Sequence, residues 1–462
     1  MARRSSFSGS IGFILAAAGS AVGLGNIWRF PYLAAKDGGG LFLAVYLVLA
    51  VTFGFALLTT EVAIGRRTRQ SPLTAYKRMH PRFKKLGIIA CIIPMMIMPY
   101  YCVIGGWVLK YAVAFLTGHG LETAEDGYFG NFISGTYEPV VYTLVFLSVT
   151  SYIIYRGVNK GIETFSKILM PILLVLILGI SVFALTIQYT DNQNVTRIGL
   201  DGLKVFVIPD FNGLTFDKFS ITLMDAMGQL FYSLSIAMGI MISYGSYVNP
   251  KDNLVKCINR IEIFDTAVAF LAGVMVIPVV YVFMGKEGMG ASGPGLMFVS
   301  IPKIFATLGT AGHVLGAVFF LMVLFAALTS AMSILEAIVS SFIDKFGYLR
   351  QKSTIIEFFI ALFFGLLVCL GYNLLYFEFK LPNGVNAQIL DLMDYTSNNI
   401  LMPIIAIGTC ILVGWISTPK KIIDEITQNG EHFGREKLYI VMIKYIAPIM
   451  LLLLLVKSAG LL

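Results

Sequence analysis

A short glycine-rich stretch near the start of the chain contains residue types that could bind ions and a polar solute. Residues 19–31 include three glycines, Asn26 and Arg29, although they stand in an apolar run long enough to cross a bilayer. Backbone that unwinds at membrane depth is tolerated only inside protein or beside a watery cavity, where free carbonyls and amides can bind ions and solutes. The stretch therefore predicts a binding site inside a membrane transporter.

A second polar break lies in the sixth apolar run, over residues 228–239. Interrupted segments at corresponding positions of two halves are the best sequence indication of a transporter built from inverted repeats. The breaks stand in runs one and six, as two repeats of five helices require. Close helix packing through small residues is the alternative, but it does not account for Asn26, Arg29 and Gln229. We therefore favour a site formed between the two breaks.

The composition excludes an ordinary soluble protein. Hydrophobic residues make up 57% and charged residues 13% of the 462 residues, with a mean hydropathy of +0.81, whereas soluble chains carry about 25% charged residues. These values are typical of a polytopic membrane protein. The Lys and Arg residues behind the net charge of +8 lie mainly in loops between the apolar runs, so this charge reflects membrane topology and does not indicate nucleic-acid binding. No catalytic triad or dinucleotide fingerprint is evident, so we predict no enzyme activity and no catalytic residue.

Eleven apolar runs of about 20 residues predict eleven transmembrane helices in an all-α polytopic membrane protein. We expect one transporter domain over 1–462, with a first five-helix repeat at 9–188, a second at 220–416 and an extra helix 11 at 436–457. The predicted helices cover 9–34, 41–65, 87–117, 139–156, 162–188, 220–248, 259–284, 313–345, 355–376, 388–416 and 436–457.

The charges of the loops indicate the orientation of these helices. The loop after the second run carries eight Lys or Arg residues between positions 66 and 85, whereas the next loop, at 118–138, has four acidic residues and no Lys or Arg. Positively charged loops stay in the cytoplasm. We therefore expect a cytoplasmic N-terminus and, after eleven crossings, a C-terminus outside.

Several short motifs occur in an order that is typical of one transporter family. They are residues 21–26, Arg29-Phe30-Pro31, Gly38-Gly39-Gly40, residues 228–239 and Leu328-Thr329-Ser330. Together they resemble the neurotransmitter:sodium symporter family, in particular its bacterial amino-acid transporters. The resemblance implies the LeuT fold, with a 5+5 inverted repeat and broken helices 1 and 6. It also implies sodium-coupled symport of an amino acid by alternating access, in the bacterial inner membrane, by a chain that works as a monomer.

Two other functions stay open at this stage. An amino-acid-binding membrane sensor would have the same site, and a proton-coupled carrier could use a titratable Asp265. Gate residues on both faces favour transport, because a sensor needs no inner gate.

The resemblance implies two sodium sites built from oxygen atoms, the ligands that a hard cation prefers. The first would use the Ala21 carbonyl, Asn26, Ser233 and Asp265, completed by the carboxylate of the substrate. Hydrogen bonding between helices is the alternative role for the hydroxyls of the second site. The residues implied at that second site are Gly19, Val22, Ala326, Thr329 and Ser330.

Asp265 departs from the family pattern. Similar transporters have an Asn here, and the chloride-dependent ones add a Ser four residues later, where this chain has Ala269. A carboxylate inside the membrane is costly and by default indicates a function. It would supply the negative charge that chloride supplies elsewhere, so we predict no chloride requirement. The alternative is a helix-end carboxylate paired with Arg260.

Gly23 indicates the class of substrate. In family members that carry amines without a carboxylate, the position that resembles Gly23 has an Asp, which supplies the missing negative charge. The resemblance therefore implies that a glycine here goes with a substrate that has its own carboxylate. The amides of Leu24 and Gly25 could bind that carboxylate, together with Tyr101. An apolar pocket predicts a hydrophobic or aromatic side chain. The predicted substrate-binding residues are Ala21, Gly23, Leu24, Gly25, Ile97, Tyr101, Tyr232, Ser233, Ser235, Met238 and Ile334.

The resemblance also assigns gates on both faces. The residues expected at the outer gate are Arg29, Asp394, Gln229 and the aromatic lid Tyr232. Those expected at the inner gate are Arg4, Asp344 and Tyr247. Gly161 and Pro171 resemble a motif that lets the fifth helix unwind at its cytoplasmic end. Supporting hydrogen bonds are expected from Glu61, Glu163 and Glu336.

Overall fold

The computed structural model describes residues 6–191, 194–211, 214–288, 293–382, 384 and 386–461. Within these ranges, nine helices are long and apolar enough to cross a membrane, and one bent pair of helices adds a tenth crossing. Such helices satisfy all their backbone hydrogen bonds internally, which the hydrocarbon core demands. The predicted all-α membrane architecture is therefore confirmed.

The membrane helices and their interrupted partners follow one another along the chain. They are α1 (Ser10–Ala21), α2 (Gly25–Lys36), α3 (Gly40–Thr68), α4 (Pro81–Leu116), α5 (Glu138–Tyr155), α6 (Val158–Thr186), α7 (Phe216–Ser233), α8 (Ile240–Gly245), α9 (Leu254–Gly285), α10 (Gly309–Phe346), α11 (Arg350–Leu370), α12 (Ile389–Ile416) and α13 (Glu436–Ser458).

Short elements connect these helices. The connecting helices are Pro72–Met79, Gly120–Ala124, Tyr128–Ile133, Gly199–Val207, Gly293–Gly295, Leu296–Ser300, Ile301–Thr307 and Lys420–Ile426. Two small antiparallel hairpins pair Gln188–Thr190 with Thr196–Ile198 and Phe379–Lys380 with Asn386–Ala387. In the first hairpin, Tyr189 stands opposite Arg197.

Both predicted breaks are present. The first separates α1 from α2, whose axes differ by 51°, and Val22 after α1 has φ −81° and ψ 87°, outside the helical region. The second separates α7 from α8. In it, Ser235, Ala237 and Gly239 have left-handed φ values of 52°, 62° and 76°. Left-handed backbone costs an L-residue roughly 1–2 kcal/mol, so neighbouring groups must hold this segment in place.

The count of eleven membrane helices stays a prediction. The sixth predicted helix corresponds to α7 and α8, which the second break separates. The 18-residue α7 carries three charged residues, Asp217, Lys218 and Asp225, and α8 has only 6 residues. Neither piece is long and apolar enough to qualify as a membrane helix by itself.

Helix α8 lies against α3 at a contact that requires glycine on both sides. A Cβ atom on Gly65 would stand 2.0 Å from the Ile242 carbonyl oxygen, and one on Gly245 would stand 2.3 Å from the Val62 carbonyl oxygen. Both obstacles are backbone atoms, which cannot rotate away. The inner half of the second interrupted helix is therefore fixed against α3 by backbone-to-backbone packing.

We expect Gly65→Ala to destabilise the protein by about 1–3 kcal/mol, the usual cost of overpacking a filled interior. The matched control is Gly179→Ala on α6, where an added Cβ has no atom within 4 Å. Thermal unfolding of the purified protein in detergent measures the difference. Equal melting temperatures for the two variants would contradict the close approach of α3 and α8.

Candidate substrate and ion site

A narrow cavity lies between the two breaks and is closed by α4 and α10. Its free space is about 20 Å³, so the surrounding side chains lie close together. The lining residues that the sequence had placed at the substrate or sodium sites are Ala21, Gly23, Asn26, Ile97, Tyr101, Tyr232, Ser235, Met238, Ser330 and Ile334. Two further lining residues, Ser20 and Ile240, were not predicted.

Three predicted substrate residues lie outside this lining. Leu24, Gly25 and Ser233 are buried but are not among the lining residues. Gly25 is covered by the ring of Tyr232, because a Cβ atom on this glycine would lie 2.3 Å from the ring. The tyrosine therefore packs directly onto the first break.

The Tyr101 hydroxyl is the unusual polar atom of the cavity. It is buried and has no hydrogen-bond partner among the described residues. It points towards the first break, since a Cβ atom on Gly23 would lie 3.4 Å from it. Most buried polar atoms in native structures have a partner. A hydroxyl without one, beside backbone that lacks a side chain, indicates a position where a ligand atom can bind.

Asp265 on α9 joins the two interrupted segments. Its side chain is fully buried, and its Oδ1 atom accepts hydrogen bonds from Ser233 at 2.6 Å and from Asn26 at 3.1 Å. The hydroxyl of Tyr46 on α3 lies 3.4 Å from Oδ2. Within the described residues no ion pair joins Asp265 to Arg260, so the helix-end alternative has no support. Tyr46 was not predicted, because nothing in the apolar sequence of α3 marks it.

The hydroxyls of α10 face the end of α1. Ser330 donates to the Ser20 carbonyl at 3.2 Å, and the same carbonyl accepts a bond of 3.1 Å from Ser235. Thr329 donates to the Ala326 carbonyl at 3.0 Å, and a Cβ atom on Gly19 would lie 3.2 Å from its Cβ. Of the residues that the sequence had assigned to a second sodium site, Thr329 therefore lies beside Gly19 and the Ala326 carbonyl, whereas Ser330 bonds to the Ser20 carbonyl, which was not predicted.

Glu61 on α3 holds the second break. Its Oε1 atom accepts a 2.7 Å hydrogen bond from the Ala237 amide, while its Oε2 atom is buried without a partner among the described residues. Gln229 on α7 donates to the Gly25 carbonyl at 3.1 Å. Gln229 therefore supports the first break, and its assignment to the outer gate stays a prediction.

Tyr232 also lines a second cavity, the vestibule, which has a volume of about 200 Å³ and is lined by Arg29 as well. The Asp394 carboxylate accepts hydrogen bonds from Tyr100 at 2.9 Å and from Asn398 at 2.6 Å. In this conformation no ion pair joins Arg29 to Asp394 in the described part of the chain. Asn398 stands four residues after Asp394 on α12, a helical spacing that could have identified it.

The predicted inner gate is only partly visible, because Arg4 lies outside the described residues. Asp344 accepts a 2.5 Å hydrogen bond from the Ser71 amide. Tyr247 donates to Glu336 at 2.5 Å, and Glu336 forms two bonds of 2.6 and 2.8 Å with Arg350. These contacts tie α10 to the segment after α8 and to α11.

The start of α6 carries the predicted unwinding motif. Gly161 lies in a π-helical turn over Val158–Glu163, and Pro171 lies inside the helix that follows. Glu163 accepts a 2.9 Å bond from the Ser8 amide and a 2.7 Å bond from Lys167. The N-terminal segment is therefore attached to the part of α6 where the motif lies.

Comparison with known proteins identifies the family. The model of the sodium:neurotransmitter symporter family matches residues 4–122 and 135–461. The chain belongs to this family. It is therefore a sodium-coupled secondary transporter with several membrane-spanning helices, and the predicted family resemblance is confirmed.

Relatives of this symporter cover nearly its whole length. It is 30% identical to the sodium-dependent transporter YhdH of Bacillus subtilis, over 99% of this chain and 98% of that protein. It is 25% identical to the sodium- and chloride-dependent GABA transporter 2 of Rattus norvegicus, over 92% of this chain and 75% of that protein.

A solved structure confirms the fold of the symporter. The crystal structure of MhsT in complex with L-phenylalanine matches with a TM-score of 0.85 and 32% identity, covering 99% of this chain and 100% of that one. MhsT has the LeuT fold, which the family resemblance had implied for this chain. The predicted fold class is confirmed.

Proposed function

We propose that this symporter imports hydrophobic or aromatic L-amino acids together with sodium, without a requirement for chloride. The observation that carries the proposal is the buried Tyr101 hydroxyl, which has no partner among the described residues and lies beside Gly23. A carboxylate bound there would accept its hydrogen bond. The L-phenylalanine bound to MhsT supports an amino acid as the substrate.

The charge of the cavity supports a substrate that brings its own carboxylate. The lining residues include no Asp or Glu, so an amine without a carboxylate would find no counter-charge in the lining. The amides of Leu24 and Gly25 lie at the N-terminal end of α2, where the helix dipole favours an anion. The substrate carboxylate would bind between this helix end and Tyr101.

The remaining lining supports an apolar side chain. Ile97, Met238, Ile240 and Ile334 supply most of the hydrophobic surface of the cavity. Methionine is unbranched and polarisable, so Met238 can adapt its shape to larger aliphatic or aromatic groups.

Two oxygen-rich positions would hold the sodium ions. At the first, the side-chain oxygens of Asn26, Ser233 and Asp265 converge within hydrogen-bonding distance, and the Ala21 carbonyl and the substrate carboxylate would complete the cage. At the second, Thr329 and Ser330 would join carbonyls of α1 and α10. Both sets are hard oxygen ligands, as sodium requires. A shared carboxylate would couple substrate and ion directly.

Asp265 would make chloride unnecessary. The similar GABA transporter 2 is sodium- and chloride-dependent by its name, whereas this chain has a fixed carboxylate beside the first sodium position. That carboxylate would provide the negative charge without an added anion. Burying it unpaired costs several kcal/mol, so a cation at this position would stabilise it.

Alternating access would use the two faces described above. The vestibule and its gate residues would face the outside, and the N-terminal segment, Asp344 and the start of α6 would face the cytoplasm. The chain would lie in a bacterial inner membrane with its N-terminus inside and C-terminus outside, as two inverted repeats, 9–188 and 220–416, plus an eleventh helix. All of these parts come from one chain, so a monomer would suffice.

We expect uptake of radiolabelled amino acids into proteoliposomes to require sodium. Replacing sodium with choline should abolish it, because the oxygen cages would lose their cation. Full uptake driven by a proton gradient alone would favour a proton-coupled carrier instead. Binding of amino acids without uptake would favour a sensor.

We expect Gly23→Asp to abolish amino-acid binding, because two negative charges would meet in a site of low dielectric constant. Gly23→Asn is the matched control, since it has the same shape without the charge and should lose less affinity. Scintillation proximity binding with labelled leucine measures both variants. Unchanged affinity in the Asp variant would place the substrate carboxylate elsewhere.

We expect uptake to continue when chloride is replaced by gluconate, and Asp265→Asn to lose sodium affinity or transport. The control variant Asp201→Asn removes a carboxylate near the surface, paired with Lys204, and should keep the wild-type sodium dependence. Uptake measured as a function of sodium concentration, once in chloride and once in gluconate, separates the effect of the anion from the effect of each substitution. A wild-type protein that stops without chloride would refute the role given to Asp265.

A further inference from the structure

A pair of carboxylates that the transport site does not use lies on the two interrupted helices, one just after the end of α2 and the other in the middle of α7. The Lys36 ammonium lies 2.8 Å from a carboxylate oxygen of Asp225 on α7 and 3.9 Å from one of Asp37, the residue after α2. One cation therefore stands beside two carboxylates that belong to different interrupted helices.

Asp37 is buried, although one of its carboxylate oxygens lacks a hydrogen-bond donor in the described part of the chain. Its side chain is 5% exposed, and its Oδ2 atom has no hydrogen-bond donor within the described residues. A buried carboxylate oxygen without a donor is costly. Protonation would remove the charge and turn the same group into a donor, and the Asp225 carboxylate, which has an oxygen beside the same Lys36 ammonium, is the neighbouring acceptor.

We propose that Asp37 and Asp225 form a proton-binding site at the outer mouth of the symporter, in which the two carboxylates share one proton beside Lys36. The proton would be bound at Asp37 and donated to Asp225.

The charges around the pair come from four parts of the structure. Burial and the Asp225 carboxylate raise the pKa of Asp37 from 3.8 to about 7, against the opposing effects of Lys36 and Lys457. The remaining neighbour is the loop before α7, whose Asp210 amide bonds to the Gly38 carbonyl. The titratable groups facing the pair are Lys36 and Tyr32 on α2, Asp225 on α7, Lys457 on α13 and Asp210 in this loop.

The direction of the pH effect follows from this raised pKa. The folded protein holds the proton more tightly than the unfolded chain, so the stability that the proton contributes is complete below pH 3.8. It is lost as the pH rises towards about 7. Above neutral pH, Asp37 should be ionised and buried at a cost.

The site is open to the outside solution. The Asp225 side chain is 24% exposed and lines the vestibule together with Arg29 and Lys457. Protons can therefore exchange without passing the substrate cavity. Ionisation of Asp37 adds one negative charge beside a vestibule that a substrate carboxylate would have to cross.

The test titrates purified wild type, Asp37→Asn and the control Asp201→Asn from about pH 5 to about pH 9, a range that brackets the expected transition. Infrared spectroscopy follows the carbonyl band of protonated carboxyl groups, and thermal unfolding follows stability. We expect Asp37→Asn to lose one carboxyl group that titrates near neutral pH, and its melting temperature to fall less with rising pH than that of wild type. Asp201→Asn should behave as wild type does.

Two further variants keep the proposal testable if Asp37→Asn folds poorly. Lys36→Met should raise the midpoint of this carboxyl titration, because a cation that favours ionisation is lost. Asp225→Asn should lower it, because the neighbouring negative charge is lost. The proposal would be overturned if the difference in melting temperature between wild type and Asp37→Asn did not change with pH. It would also be overturned if the midpoint of the carboxyl titration did not move in Lys36→Met and Asp225→Asn. These measurements need no transport, so they stand apart from the proposed function.

Discussion

Two stretches of backbone leave the helical hydrogen-bond pattern at membrane depth, and the rest of the site depends on how their polar groups are bonded. Each unsatisfied group in such surroundings costs several kcal/mol. Side chains from other helices provide the partners: Glu61 binds the Ala237 amide, and Gln229 binds the Gly25 carbonyl. Ser235 and Ser330 meet at the Ser20 carbonyl. The same bonds that stabilise the unwound backbone therefore bring the two breaks together.

The buried carboxylate of Asp265 also obtains its hydrogen-bond partners from other helices. Its carboxylate receives hydrogen bonds from α2, α3 and the end of α7, so four helix segments converge on one buried anion. Donors of this kind reduce the cost of the charge without neutralising it. Under the proposed function, a sodium ion would complete that neutralisation. Ion binding would then also strengthen the junction between the interrupted helices.

The two charged residues predicted for the outer gate differ in their surroundings. Asp394 is held by Tyr100 and Asn398, whereas Arg29 lines the open vestibule. Ion pairs near solvent contribute only about 0–1 kcal/mol, so under the proposed function a gate contact between these residues would form and break at little cost. On the opposite face, Glu163 links the N-terminal segment to the start of α6, so movement of either segment would affect the other.

The sequence by itself determined the class of protein, the two breaks and most of the cavity lining, because hydrophobic run length and polar interruptions are local properties that a bilayer turns into strong constraints. Tertiary structure decided which polar partners meet. Tyr46 and Ser20 gave no local signal, since their roles depend on helices distant in the chain. Only the structure shows that Gln229, which the sequence had assigned to the gate, bonds to the Gly25 carbonyl. Such contacts arise only when separate helices pack, and no spacing along one helix encodes them.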